Sequence, residues 1–141
     1  MKESLMTDTS VSPPASRLRV GALTVGGAVL AAALLWTAAQ ILDIDLVVDP
    51  GNGQAPSAVS LPLTVTFTLV VGLLGWGARA LLDRFTRSAS VVWTVLAVSV
   101  LLVSFMPLFV FAATGATKTI LGLMHVAVAA VLISTFSRRK P

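Results

Sequence analysis

Four long stretches of this chain carry no charged side chain, and that constrains the fold more than anything else in it. They run over about residues 20–42, 58–79, 91–113 and 118–137, with Arg79 and Lys118 at the outermost positions of two of them. At 1.5 Å per residue, the first extends for roughly 34 Å, enough to cross a ~30 Å hydrocarbon core with some tilt. The others reach or approach the ~20 residues that a spanning helix needs. Only 11% of the 141 residues are charged, against 56% hydrophobic. A soluble domain of this size normally carries about 25% charged residues. A bilayer removes the need to cover apolar side chains with polar ones, so the pattern predicts an integral membrane protein.

The expected architecture is all-α: a polytopic four-helix bundle of two antiparallel transmembrane hairpins, since short links favour antiparallel neighbours. Residues 1–16, with Pro13 beside Pro14, form a polar tail expected to be a disordered cytoplasmic segment. Residues 17–138 make up the four-span domain. Residues 43–57 form an acidic external loop in which Ile44 to Val48 suit a short extended piece. The first span resembles a signal peptide in having basic residues before an apolar run. It exceeds the usual 7–15-residue signal core, however, and holds Trp36 near its end, so a retained span is expected.

Basic residues near spans tend to stay on the cytoplasmic side. Lys2, Arg17, Arg19, Arg79, Arg84, Arg87, Arg138, Arg139 and Lys140 fall on one side under this topology, and Lys118 alone on the other. That bias predicts a multi-pass protein of the cell membrane with both termini in the cytoplasm. The net charge of +4 is explained by these flanking clusters, which do not form a nucleic-acid-binding stripe.

Cysteine is absent and histidine occurs once. Disulfides, thiolate chemistry and cysteine-held metals are therefore excluded, and so is a bis-histidine haem within one chain. No cofactor, metal site or catalytic residue is expected. No Asp or Glu lies within a span, which argues against a carboxylate-driven proton-coupled exporter.

In a membrane, helices associate through small residues and interhelical hydrogen bonds, because lipid is as apolar as leucine. Steps of three and four give each span a stripe of such residues. These are Ala22, Gly26, Ala33, Thr37 and Gln40 in the first span; Thr64, Thr68, Gly72, Gly75 and Arg79 in the second; Ser90, Thr94, Ala97 and Ser104 in the third; and Thr119, Gly122, His125 and Ala129 in the fourth. Leu121, Val128 and Leu132 are then expected to face outward. Pro62 falls in a first helical turn, where a missing N–H is harmless. Pro107 lies inside the third span and should free the Val103 carbonyl and kink the helix.

Ionisable residues inside spans are the default candidates for function. His125 heads the list, with Ser104, Thr64, Thr68 and Thr37 as its expected polar neighbours. The bland alternative is a neutral imidazole bonded to a Ser or Thr, joining two helices. Arg79, Arg84 and Arg87 are expected to snorkel to lipid headgroups or serve as topology signals. Trp76 and Trp93 read as interfacial anchors.

The stretches Gly75–Thr94, GWGARALLDRFTRSASVVWT, and Leu123–Ile133, LMHVAVAAVLI, resemble an uncharacterised actinobacterial family of four-span membrane proteins, a domain of unknown function. Ile44-Asp45-Leu46 stands where its members often have Val-Asp-Leu, and Arg79, Asp83, Arg84, Trp93, Met124 and His125 match. The resemblance implies membrane location and four spans but no activity. The function expected is a non-enzymatic accessory or interaction subunit, partnered by lipid and by another membrane protein or itself. The alternative is a small-molecule or lipid transport or binding protein with a polar pocket around His125.

Overall fold

A computed structural model describes residues 14–138. The elements in order are α1 (Pro14–Ile41), β1 (Val47–Val48), β2 (Ser57–Ala58), α2 (Leu61–Phe85), α3 (Ala89–Ser104), α4 (Met106–Val110) and α5 (Gly115–Ser137). Four segments are long and apolar enough to cross a membrane, α3 and α4 together supplying one of them. The protein is an all-α membrane bundle, as its uncharged runs predict. The helix of α1 already includes residues 14–16 of the expected tail; the rest of that tail lies outside the described residues.

Large apolar side chains cover the outside. Leu23, Leu74 and Val103 are about two-thirds exposed and Phe109 is 83% exposed. Lipid supplies the environment such a surface needs.

The boundaries have local causes. Ser60 caps α2 by accepting from the Leu63 N–H, and Pro62 follows in the first turn as expected. Thr114 caps α5 through the Thr117 N–H at 3.2 Å. Helix α2 continues beyond the uncharged run to Phe85, so its link to α3 shrinks to residues 86–88. At Pro107 the chain does more than kink: α3 ends at Ser104 and α4 begins two residues later, with proline in its first turn.

The acidic loop is ordered into a small lid at its end of the bundle. Val47 pairs with Ala58 and Val48 with Ser57, antiparallel. The turn between them uses Gly51 and Gly53 at φ 68° and 86°, where a Cβ would be strained. Asp49 exchanges two backbone hydrogen bonds with Ala112. Trp36 Nε1 donates to the Val59 carbonyl at 2.8 Å, and Thr117 Oγ1 donates to the Asp45 carbonyl at 2.9 Å. Leu46 is thereby buried with Ala39, Ile120 and Met124.

Helix α1 packs along both α2 and α5, α3 lies against α5, and α2 and α3 touch little. The stripe expected on span two is the buried one: Thr64, Thr68, Gly72 and Arg79 are all buried. A Cβ on Gly72 would lie 3.0 Å from Val25 Cγ1, and one on Gly75 would lie 3.2 Å from the Trp93 ring. Gly72→Leu is therefore expected to lower stability in detergent by about 1–3 kcal/mol through overpacking. Val70→Leu, on the exposed face, should be neutral. Equal thermal stability of the two variants would contradict this packing.

Span one corrects the expectation. Ala22, Gly26, Thr37 and Gln40 are exposed, while Gly21, Thr24, Val25, Ala28, Ala32 and Ala39 are buried. The inward face is offset by about one residue from the predicted stripe. Gly21 is what fixes it: a Cβ there would sit 2.1 Å from the Trp76 ring. Span four is also rotated. Leu132 is buried, Val128 packs on the same core cluster and Leu121 packs on the other, so none of them faces outward as expected. Leu123 and Val126 do so instead.

Candidate functional site

Because α2 and α3 diverge, a groove of about 740 Å³ opens between them. Its walls run from Leu63 to Ala78 on α2 and from Trp93 to Ser104 on α3, and its floor is α5 with Ala32 of α1. The lining is apolar apart from Thr64, Thr68, Ser104, His125 and the indole of Trp93. No charged side chain lines it.

The polar groups are arranged with a consistent bias. Thr64 Oγ1 donates to the Ser60 carbonyl at 3.0 Å, and Ser104 Oγ donates to the Leu101 carbonyl at 2.6 Å. Each hydroxyl proton is spent on its own helix, which leaves oxygen lone pairs toward other partners. His125 Nδ1 lies 2.6 Å from the Leu121 carbonyl oxygen. A carbonyl only accepts, so Nδ1 carries the proton. In the neutral ring Nε2 is then an acceptor. The ring is half-buried, 6.1 Å from Phe105 between centroids. Thr68 is buried on the groove wall with no hydrogen bond to another described residue, and its hydroxyl remains able to donate. Trp93 Nε1 is a buried donor without an acceptor among the described residues.

The groove thus gathers His125, Ser104, Thr64 and Thr68. No hydrogen bond joins them across helices, so the bland expectation of an interhelical His–Ser or His–Thr bond does not describe this ring. Thr37 is elsewhere: it is exposed, and its hydroxyl donates to Ala33 within α1.

The arginines separate as well. Arg79, expected at lipid headgroups, is 1% exposed. Its Nε donates to the Phe136 carbonyl at 2.9 Å, and its Nη1 pairs with Asp83 one turn on. A guanidinium has several donors in a fixed fork, which lets it cap the end of α5 while meeting its counter-charge on α2. Ser90 Oγ adds a second cap, to the Ser137 carbonyl at 2.7 Å. Arg84 and Arg87 are exposed at the same end. Trp93 is no interfacial anchor: it is 4% exposed and stacks edge-on against Phe136. The i,i+4 spacing of Arg79 and Asp83 signalled their pairing, but the Phe136 carbonyl is 57 residues away in sequence and left no local trace.

No curated protein and no solved structure matches the chain. The model of a family of unknown function, DUF6069, matches residues 12–141. The chain, a bundle of four membrane-spanning segments with an apolar side groove, belongs to that family.

Proposed function

We propose that the protein is a non-catalytic binding protein of the actinobacterial cell membrane, holding a chain-shaped apolar ligand such as a lipid tail between α2 and α3. The observation that carries this reading is the shape of the groove. Leu63 to Ala78 covers about 22 Å of helix, and over that length the groove is lined almost wholly by apolar side chains and open along one side. An extended hydrocarbon chain asks for no more than apolar walls at carbon contacts of about 4 Å. The groove suits one or more alkyl chains.

His125 and Thr68 supply the means to tell a functionalised chain from an alkane. Nε2 accepts from a ligand O–H or N–H, and the Thr68 hydroxyl donates to a ligand oxygen. The test is retention of a long-chain alcohol, compared with the alkane of equal length, by purified protein stripped of lipid and examined by native mass spectrometry. Preferential retention of the alcohol supports the reading; retention of neither overturns it. The accessory or interaction role expected from sequence ranks second. It is compatible with a bound chain that shows itself to a neighbouring protein through the open side of the groove.

Both termini are proposed to be cytoplasmic, on the strength of the basic residues gathered at one end of the bundle. A cytoplasm-only reporter at either terminus should be active, and an extracytoplasmic reporter within residues 51–55 should be active too. A silent loop reporter, or one terminus outside, contradicts this orientation.

A further inference from the structure

The polar residues of the groove fall at two depths, set by the way α2, α3 and α5 face one another. Arg79 bonds to Phe136, 57 residues on. A Cβ on Gly75 would meet Leu132, at the same offset, and also Trp93. Helices α2 and α5 therefore run the same way in matched register, and α3 runs back against them. Thr68 and His125 share that offset, so they stand about level, seven residues or roughly 10 Å toward the lid from the Gly75 contact. Thr64 and Ser104 lie eleven residues toward the lid from Gly75 and Trp93, roughly 16 Å.

The two levels differ in chemistry. The inner one has the Thr68 hydroxyl, on a residue 8% exposed with no hydrogen bond to another described residue, and Nε2 of His125 as an acceptor. The outer one has the Thr64 and Ser104 oxygens, whose protons go to the Ser60 and Leu101 carbonyls, so both accept. From Thr68 inward to Ala78, roughly 15 Å, the lining is apolar but for the indole of Trp93.

Resting on the reading that this groove holds an alkyl chain, we infer that its ligand is an uncharged monoacylglycerol, with the glycerol toward the lid and the chain toward Trp93. An anionic head would enter with no counter-charge and could not donate to the acceptors. A long-chain alcohol has one hydroxyl and serves one level. A monoacylglycerol spreads an ester carbonyl and two hydroxyls over neighbouring carbons and serves both. Its carbonyl accepts from Thr68, and its hydroxyls donate to His125 Nε2 and to the outer oxygens.

The test uses full-length protein freed of lipid in neutral detergent, offered 1-monopalmitoylglycerol, hexadecanol, hexadecane and hexadecyl phosphate in turn, and read by native mass spectrometry. The monoacylglycerol should be retained at least about eightfold better than hexadecanol, as two further membrane hydrogen bonds of average strength imply. Hexadecyl phosphate should be held less well than hexadecanol. Thr64→Val with Ser104→Ala should abolish the preference for the glycerol head and keep that for hexadecanol over hexadecane, which the inner level supplies. Thr37→Val, which also loses a bond within its own helix but lies outside the groove, should keep both preferences. The comparison of ligands on the native protein decides the matter even if the double variant fails to fold. Hexadecanol held over hexadecane, with the monoacylglycerol held no better, overturns the acylglycerol and keeps the chain-binding groove; retention of none overturns both. A glycerol preference that survives loss of both outer hydroxyls overturns the placing of the head, and hexadecyl phosphate held as well as the monoacylglycerol overturns an uncharged ligand.

Discussion

Replacing Asp83 with leucine is expected to destabilise the protein by about 3–5 kcal/mol, since it strands a buried guanidinium without its counter-charge. Arg79 is 1% exposed, and its other bond goes to the neutral Phe136 carbonyl, so no second described group carries a counter-charge to it. Arg79→Leu should cost less, about 2–4 kcal/mol. It removes the bond to the Phe136 carbonyl, but the Asp83 side chain left behind is 38% exposed. The double variant should be milder than Asp83→Leu alone, because it removes the stranded charge. Arg79→Lys should recover little, as an ammonium lacks the fork that reaches two acceptors at once. Unfolding midpoints in a single detergent check all four. An Asp83→Leu protein as stable as the parent would mean that Arg79 finds its charge balance elsewhere.

The second large effect concerns the groove. Val100 lines it and is 55% exposed, so Val100→Trp narrows the space without disturbing the core. Retention of a long-chain alcohol should fall more than about tenfold, a loss of about 1.4 kcal/mol or more. His125→Leu should act differently. With no interhelical bond to lose, helix association should change by less than about 0.6 kcal/mol, the average for such bonds in membranes. The advantage of alcohol over alkane should shrink by about 3–18-fold, the equivalent of one membrane hydrogen bond of roughly 0.6–1.7 kcal/mol. A His125→Leu protein that unfolds while Val100→Trp binds normally would reverse both assignments.

The four spans were legible because bilayer thickness acts on composition alone, one run at a time. The stripe of span two was legible too, since Thr64, Thr68, Gly72 and Arg79 stand against a background of Leu, Val and Phe. Span one is rich in Ala and Gly all round, so several stripes fit it equally, and only the approach of Trp76 to Gly21 selects one. Arg79 misled for a physical reason: arginine at the end of a span normally reaches lipid phosphate, but here the end of α5 offers a carbonyl within reach. His125, Ser104, Thr64 and Thr68 were chosen as polar residues at similar depth, and depth is what the period of a helix conveys. That they line a groove instead of filling a polar layer depends on α2 and α3 diverging, which neither sequence contains.

The central claim is that the space between α2 and α3 holds an alkyl chain, and photo-crosslinking in a membrane tests it most directly. A long-chain alcohol bearing a diazirine midway along its chain would be added to vesicles containing the protein, irradiated, and its adducts mapped by peptide. Labelling should concentrate on Phe67, Val71, Leu96 and Val100, which line the groove. It should be several-fold weaker at Leu23, Leu30, Leu34 and Val126, which are equally apolar and exposed but lie outside it. Val100→Trp should remove the concentration. Uniform labelling of both groups, unchanged by Val100→Trp, would show that the groove holds no chain in preference to the surrounding bilayer.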